Sequence, residues 1–188
     1  MTTGQRADAR RNYERILAVA KAEVAGQGSD ASLERIARVA GVGSATVRRH
    51  FPSRYALLEA VSRAGVDALV EYADTLLDAG VPARDALLDW LREVVDHCIT
   101  TRGLLAALSY VPQQGLVSDN SCFTSVRDAA APLLARAQAE GAVADGTTTG
   151  DLLELVLGIV LATDGHPGRT VTAHRLFDIT VAGISPSR

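Results

Sequence analysis

The chain has 188 residues, enough for one ordinary domain or one domain with a small added module. Hydrophobic residues at 47% and charged ones at 22% exclude a disordered tract or a coiled-coil rod, and aromatics at 4% leave a core of Ala, Leu and Val that favours close-packed helices. The net charge of −3 conceals an asymmetry: residues 1–54 carry ten Lys or Arg against five Asp or Glu, a net of +5, whereas residues 55–188 carry nine against seventeen, a net of −8. A basic amino-terminal module on an acidic remainder points to one part that meets a polyanion.

Cys98 and Cys122 are too few for a disulfide framework and show no Cys-x-x-Cys spacing, so a reducing cytoplasm is expected, with no metal and no cofactor. No apolar run follows the polar, basic stretch Met1 to Arg11, which gives no secretory signal. The most apolar stretch, Asp151 to Asp164, contains Glu154 and falls short of the roughly twenty apolar residues of a membrane span. A cytoplasmic protein with no membrane partner is expected.

In chain order, Tyr13, Ile16, Leu17, Ala20 and Val24 give the spacing of a helix with one buried face over Asn12 to Ala25. Ser32 caps a second, short helix carrying Leu33, Ile36, Ala37 and Ala40, and Gly41-Val42-Gly43 stops it. A third runs from Ala45 to His50 before Phe51-Pro52. Ser53 or Arg54 opens a long fourth helix that reaches Gly80-Val81-Pro82. A fifth is expected from Ala83 to Thr101, a sixth from Gly103 to Val111, and a loop from Pro112 to Ser121. Cys122 to Ala139, Thr149 to Thr163 and Thr170 to Ile184 complete an all-α chain of about nine helices, with no period-two alternation.

The span Ser32 to Phe51, SLERIARVAGVGSATVRRHF, reads as a helix-turn-helix. Ala37 is small where two helices cross, Gly41 permits a left-handed turn, and Ile36, Ala40, Val42 and Val47 can form a shared core. The exposed positions Ser44, Ala45, Thr46, Arg48, Arg49 and His50 suit a DNA groove, since small and hydroxyl residues allow close approach and arginines bind phosphate or guanine edges. Arg6, Arg10 and Arg11 precede the first helix, where a flexible arm could reach backbone or minor groove.

These stretches, together with RRNYERILAVAKAEVAGQG before them and PSRYALLEAV after, resemble the TetR family of bacterial transcriptional regulators. The likeness is dense over residues 10–69, the expected DNA-binding domain with its helix-turn-helix at 32–51, and rests on helical layout over residues 70–188. It implies a two-fold dimer, a three-helix DNA-binding domain, a linking fourth helix and a carboxy-terminal domain for ligand binding and dimerisation. It also implies that Ser32 and Arg54 touch phosphates while Ser44, Ala45, Thr46, Arg48 and Arg49 line the groove; His50 either packs against the first helix or binds phosphate. Two positions depart from the family: Arg48 stands where a phosphate-contacting tyrosine is common, and Arg54-Tyr55 where lysine and an acidic residue are common.

Beyond residue 70, Leu152, Leu155, Val156, Ile159 and Val160 with Leu176, Ile179 and Val181 supply more apolar surface than one helix side needs. They form either a homodimer interface, as the resemblance implies, or the centre of a monomer. Candidates for an effector pocket are Trp90, Val94, His97, Cys98, Tyr110, Phe123, Arg127, Leu157 and Leu161, each of which could equally be core; their chemistry fits an apolar or amphipathic small molecule. No hydrolase elbow, phosphate loop, zinc-protease motif or dinucleotide fingerprint is present, so no enzyme is expected. The sequence therefore points to a dimeric repressor released by an effector from a palindromic double-stranded DNA operator. A ligand-independent DNA-binding protein and an activator remain as alternatives.

Overall fold

The computed structural model describes the backbone of residues 3–27, 31–109 and 121–184, and all side chains of these except 3–7, 102–109, 121 and 184. Eight helices occupy the described residues, with no strand: α1 Thr3–Gln27, α2 Leu33–Val39, α3 Ser44–His50, α4 Arg54–Asp78, α5 Ala83–Ser109, α6 Ser121–Ala139, α7 Thr149–Ala162 and α8 Arg169–Ile184. None is long and apolar enough to cross a membrane.

Two boundaries differ from those expected from the sequence. The fifth and sixth predicted helices are one, α5, because Gly103 is the sole breaker between them and an interior glycine costs only about 1 kcal/mol relative to alanine. Helix α1 starts at Thr3 rather than Asn12. Its first turns include the good helix formers Gln5, Arg6, Ala7, Ala9 and Arg10 and the pairs Arg11 with Asp8 and Arg10 with Glu14 but have no apolar stripe for periodicity to detect.

The chain divides into two compact units, Met1–Ala64 with Thr100–Leu116, and Gly65–Ile99 with Val117–Arg188. In the first, Ile16, Ala20 and Val24 of α1 share one core with Ile36, Ala37 and Ala40 of α2, Val47 of α3, Phe51, and Leu57, Leu58 and Val61 of α4. Arg35 at the start of α2 reaches Glu23 of α1 at 2.9 Å.

In the second, Trp90 of α5 is fully buried, and its indole N–H donates to the Leu69 carbonyl of α4 at 2.9 Å. The same core holds Leu87, Leu91, Val94 and Val95 of α5, Leu133 and Leu134 of α6, Leu152, Val156 and Val160 of α7, and Ala173 and Phe177 of α8. Thr148 and Asp151 start α7 with a reciprocal capping box. The turn between α4 and α5, Ala79-Gly80-Val81-Pro82, brings no capping side chain of its own. Helix α6 and the residue that follows it supply both caps. The Arg136 guanidinium donates to the carbonyls of Leu77 at 3.2 Å and Val81 at 2.6 Å, and the Glu140 carboxylate accepts from the Ala83 N–H at 3.2 Å. A cation thus meets the carbonyl end of α4 and an anion the amide end of α5, each opposing the partial charge of its helix terminus.

Candidate nucleic-acid interface

Helices α2 and α3 are short because the sequence stops each of them. The Ser32 hydroxyl accepts the Arg35 N–H at 3.3 Å and starts α2. At its end, the bonds Gly41 N–H to Arg38 carbonyl, 3.2 Å, and Val42 N–H to Ala37 carbonyl, 3.0 Å, close the helix around Gly41 at φ +65°, a conformation glycine adopts without strain. The chain enters α3 at Ser44, and α3 ends where Phe51 is buried.

Val47 is the buried residue of α3. Ser44, Ala45, Arg48 and Arg49 are therefore exposed, and Thr46 is half-buried. Ser53 accepts the Ala56 N–H at 3.1 Å and caps α4, whose first residue, Arg54, is exposed. The His50 ring lies edge-on to Tyr13 of α1, with centroids 5.9 Å apart, and its buried Nε2 has no hydrogen-bond partner among the described residues. Tyr13 also stacks on Phe51 at 5.3 Å.

Two arginines of this surface, Arg38 and Arg49, are exposed and make no ion pair among the described residues. Arg48 is engaged: it donates to Glu34 of α2 at 3.0 Å. The other Glu34 oxygen accepts from the Ser32 hydroxyl at 3.3 Å. Its own backbone N–H first, and then Arg48, hold the Glu34 carboxyl below its ordinary value. Glu34 and Arg38 were not among the sequence candidates, because only the fold brings residues 34 and 48 together.

The expected flexible arm is helix instead. Arg10 and Arg11 lie within α1 and pair with Glu14 and Asp8, and the Arg6 side chain lies outside the described residues.

The described residues expected around an effector differ in their burial. Trp90 and Val94 are core, His97 and Cys98 are half-buried, and Phe123 and Arg127 of α6 and Leu157 and Leu161 of α7 are exposed. Tyr110 lies outside the described residues. The His97 ring covers Gly65 of α4 closely enough that a Cβ there would lie 2.6 Å from Nδ1. A cleft of about 30 Å³ opens elsewhere in this unit, lined by Leu87, Leu91, Val143, Leu152 and Phe177 among other apolar residues, with Arg84 as its single charged member.

Of the residues expected at a dimer face, Leu152, Val156 and Ile159 are buried in the chain's own core, Leu176 is half-buried, and Leu155 and Ile179 are exposed. Leu157 and Leu161 of α7 are exposed as well. Among the described residues, no three His, Cys, Asp or Glu side chains gather as a metal set.

A pair of short helices sharing one small core, the second presenting small and cationic side chains outward, defines a helix-turn-helix DNA-binding regulator. Residues 16–61 match the family model of bacterial regulatory proteins, tetR family, and residues 82–186 match that of the SbtR-like transcriptional regulator C-terminal domain. The crystal structure of a TetR transcriptional regulator from Streptomyces coelicolor is 34% identical, covering 94% of this chain and 99% of that one, with a TM-score of 0.78. A TetR transcription regulatory protein from Mycobacterium vanbaalenii is 30% identical over 96% of this chain and 99% of its own, with a TM-score of 0.73. A gamma-butyrolactone receptor described as ArpA-like shares the fold at 20% identity and a TM-score of 0.55, over 91% of this chain and 99% of its own. A search of curated proteins returns no match. The chain belongs to the TetR family of bacterial transcriptional regulators.

Proposed function

We propose that the protein is a homodimeric repressor that binds a palindromic double-stranded DNA operator and leaves it when a small apolar or amphipathic effector binds. The carrying observation is the outer face of α3, where Ser44, Ala45, Arg48 and Arg49 are exposed above a buried Val47. Arg49, free of ion pairs among the described residues, is the foremost candidate for a phosphate or a guanine edge. Thr46, His50, Ser32 and Arg54 complete the proposed contact set.

A dimer places two recognition helices at half-sites about one DNA turn, roughly 34 Å, apart. The pairing face we propose is built from α7 and α8, where Leu155, Leu157, Leu161, Val171 and Ile179 are exposed.

For the effector, the apolar cleft beside Arg84 supports an amphipathic ligand in kind. Its volume of about 30 Å³ holds a water or two, so a ligand of several hundred Å³ enters only as helices part. Coupling is reciprocal: whatever factor the effector takes from DNA affinity, DNA takes from effector affinity.

Selection of bound duplexes from a random pool tests the DNA half. A palindrome is expected, and Arg49→Ala should weaken its binding while leaving the dimer mass unchanged; equal binding by the variant removes Arg49 from the interface. Thermal-shift screening tests the effector half, since a ligand stabilises the state it binds by mass action. A stabilising ligand that leaves operator affinity unchanged would favour the ligand-independent reading. Operator position relative to the promoter decides between repression and activation.

A further inference from the structure

We propose that Glu34 sets specificity at the DNA-reading face by holding Arg48 off the phosphate backbone, so that DNA of unselected sequence is bound less tightly. The inference rests on the DNA-binding reading above.

Glu34 is the single acid on α2 and α3. The other described acids of residues 1–54 are tied elsewhere: Asp8 and Glu14 to arginines of α1, and Glu23 to Arg35. The Glu34–Arg48 pair spans the two helices at 3.0 Å with both side chains exposed, 67% and 63%. So exposed a pair contributes little to stability, and its place at the front of the motif is the better account of its chemistry. Both Glu34 oxygens are occupied, one by Arg48 and one by the Ser32 hydroxyl, which also caps α2. The carboxylate is thus fixed from its own helix while it holds an arginine of the next.

Non-specific DNA binding is driven by arginines that neutralise phosphates and release counterions. An arginine already neutralised by a carboxylate releases none. Opening the pair also turns a bare carboxylate toward phosphates, and only a donor on a base edge, such as the cytosine amino group, relieves that. Unselected DNA meets the cost of opening without the relief. The operator supplies it.

The test compares wild type, Glu34→Gln, Arg48→Ala and the double variant by fluorescence anisotropy on two duplexes of equal length, one selected from a random pool and one scrambled. Glu34→Gln frees Arg48 for one more phosphate in each protomer, so for the dimer the slope of log K against log salt on scrambled DNA steepens by about 1.8, and the variant's advantage over wild type grows about 12-fold between roughly 200 and 50 mM salt. Operator affinity changes less, and the selectivity ratio falls. In the Arg48→Ala background the gain disappears. An unchanged slope for Glu34→Gln, or the same gain without Arg48, overturns the proposal. Circular dichroism of each variant should match that of wild type, since both side chains are exposed. Should wild type select no sequence from the pool, the operator reading itself fails; a selected operator with an unaltered slope sinks this inference alone.

Discussion

Replacing Gly65 by alanine sets two opposed effects against each other. An interior helical glycine gives up about 1 kcal/mol relative to alanine, so Gly65→Ala would stabilise α4 if the site were open. A Cβ there, however, would lie 2.6 Å from His97 Nδ1 and closer still to Cε1. Comfortable heavy-atom contact is about 3.5–4.0 Å, so the ring must retreat by about 1 Å from a half-buried position. Overpacking of this sort costs about 1–3 kcal/mol. Gly65→Ala alone should therefore destabilise by about 1 kcal/mol, whereas in a His97→Ala background it should stabilise by about 1 kcal/mol. The coupling between the two sites is the difference, about 2 kcal/mol, well above the roughly 0.5 kcal/mol at which distant sites already add. Urea unfolding of the four variants measures it, with slopes compared so that a changed denatured state is not mistaken for the effect. If Gly65→Ala stabilises equally with and without the imidazole, the close approach of α4 and α5 at this point is not as described.

Arg136→Ala should destabilise by about 2 kcal/mol, because two carbonyls lose a charged donor, and Arg136→Lys should recover only part of this, since an ammonium cannot serve both in fixed geometry; a full rescue by lysine would refute the forked contact. Cys98 has its thiol pushed up to about 11 by burial. At pH 8 its thiolate fraction is then about a hundredfold below that of an ordinary thiol near 9, and iodoacetamide labelling of a Cys122→Ser variant should be slower than that of glutathione by a similar factor. The Thr148 hydroxyl, and then its backbone N–H, lower the Asp151 carboxyl below the ordinary 3.8. Its contribution is present above that value and is lost as pH falls through the lower, folded one, so a melting-temperature advantage of wild type over Asp151→Asn at pH 6 should close in acid. An advantage that persists below pH 2 would mean the carboxylate charge is not its source.

The helix-turn-helix was legible because its determinants are local. Ser32, Gly41 and Val47 each act within a few residues of their own position, and each needs a particular side chain or none. The ends of α1 and α5 were less so, since an all-polar first turn gives periodicity nothing to count and one glycine does not stop a helix followed by leucines and alanines. Helix α7 was placed correctly, but its buried face was not legible, for the opposite reason. It is apolar nearly all round, so spacing could not say that Leu152, Val156 and Ile159 turn inward while Leu155, Leu157 and Leu161 turn out. The Glu34–Arg48 pair, the His97 ring over Gly65 and the remote caps of the α4–α5 turn join residues far apart in sequence. No local pattern encodes them.

Those remote caps bear on the order in which the chain folds. A turn with its own serine or aspartate can form as soon as its flanking helices do, whereas the turn at residues 79–82 is completed only once Arg136 and Glu140 arrive, after closure of a loop of more than fifty residues whose entropy must first be spent. Helices α4 and α5 should therefore dock firmly late, and mutations at Arg136 should speed unfolding far more than they slow folding. The same dependence would make α4 and α5 a poor excised fragment: separated from α6, the hairpin keeps its sequence and loses both of its fasteners.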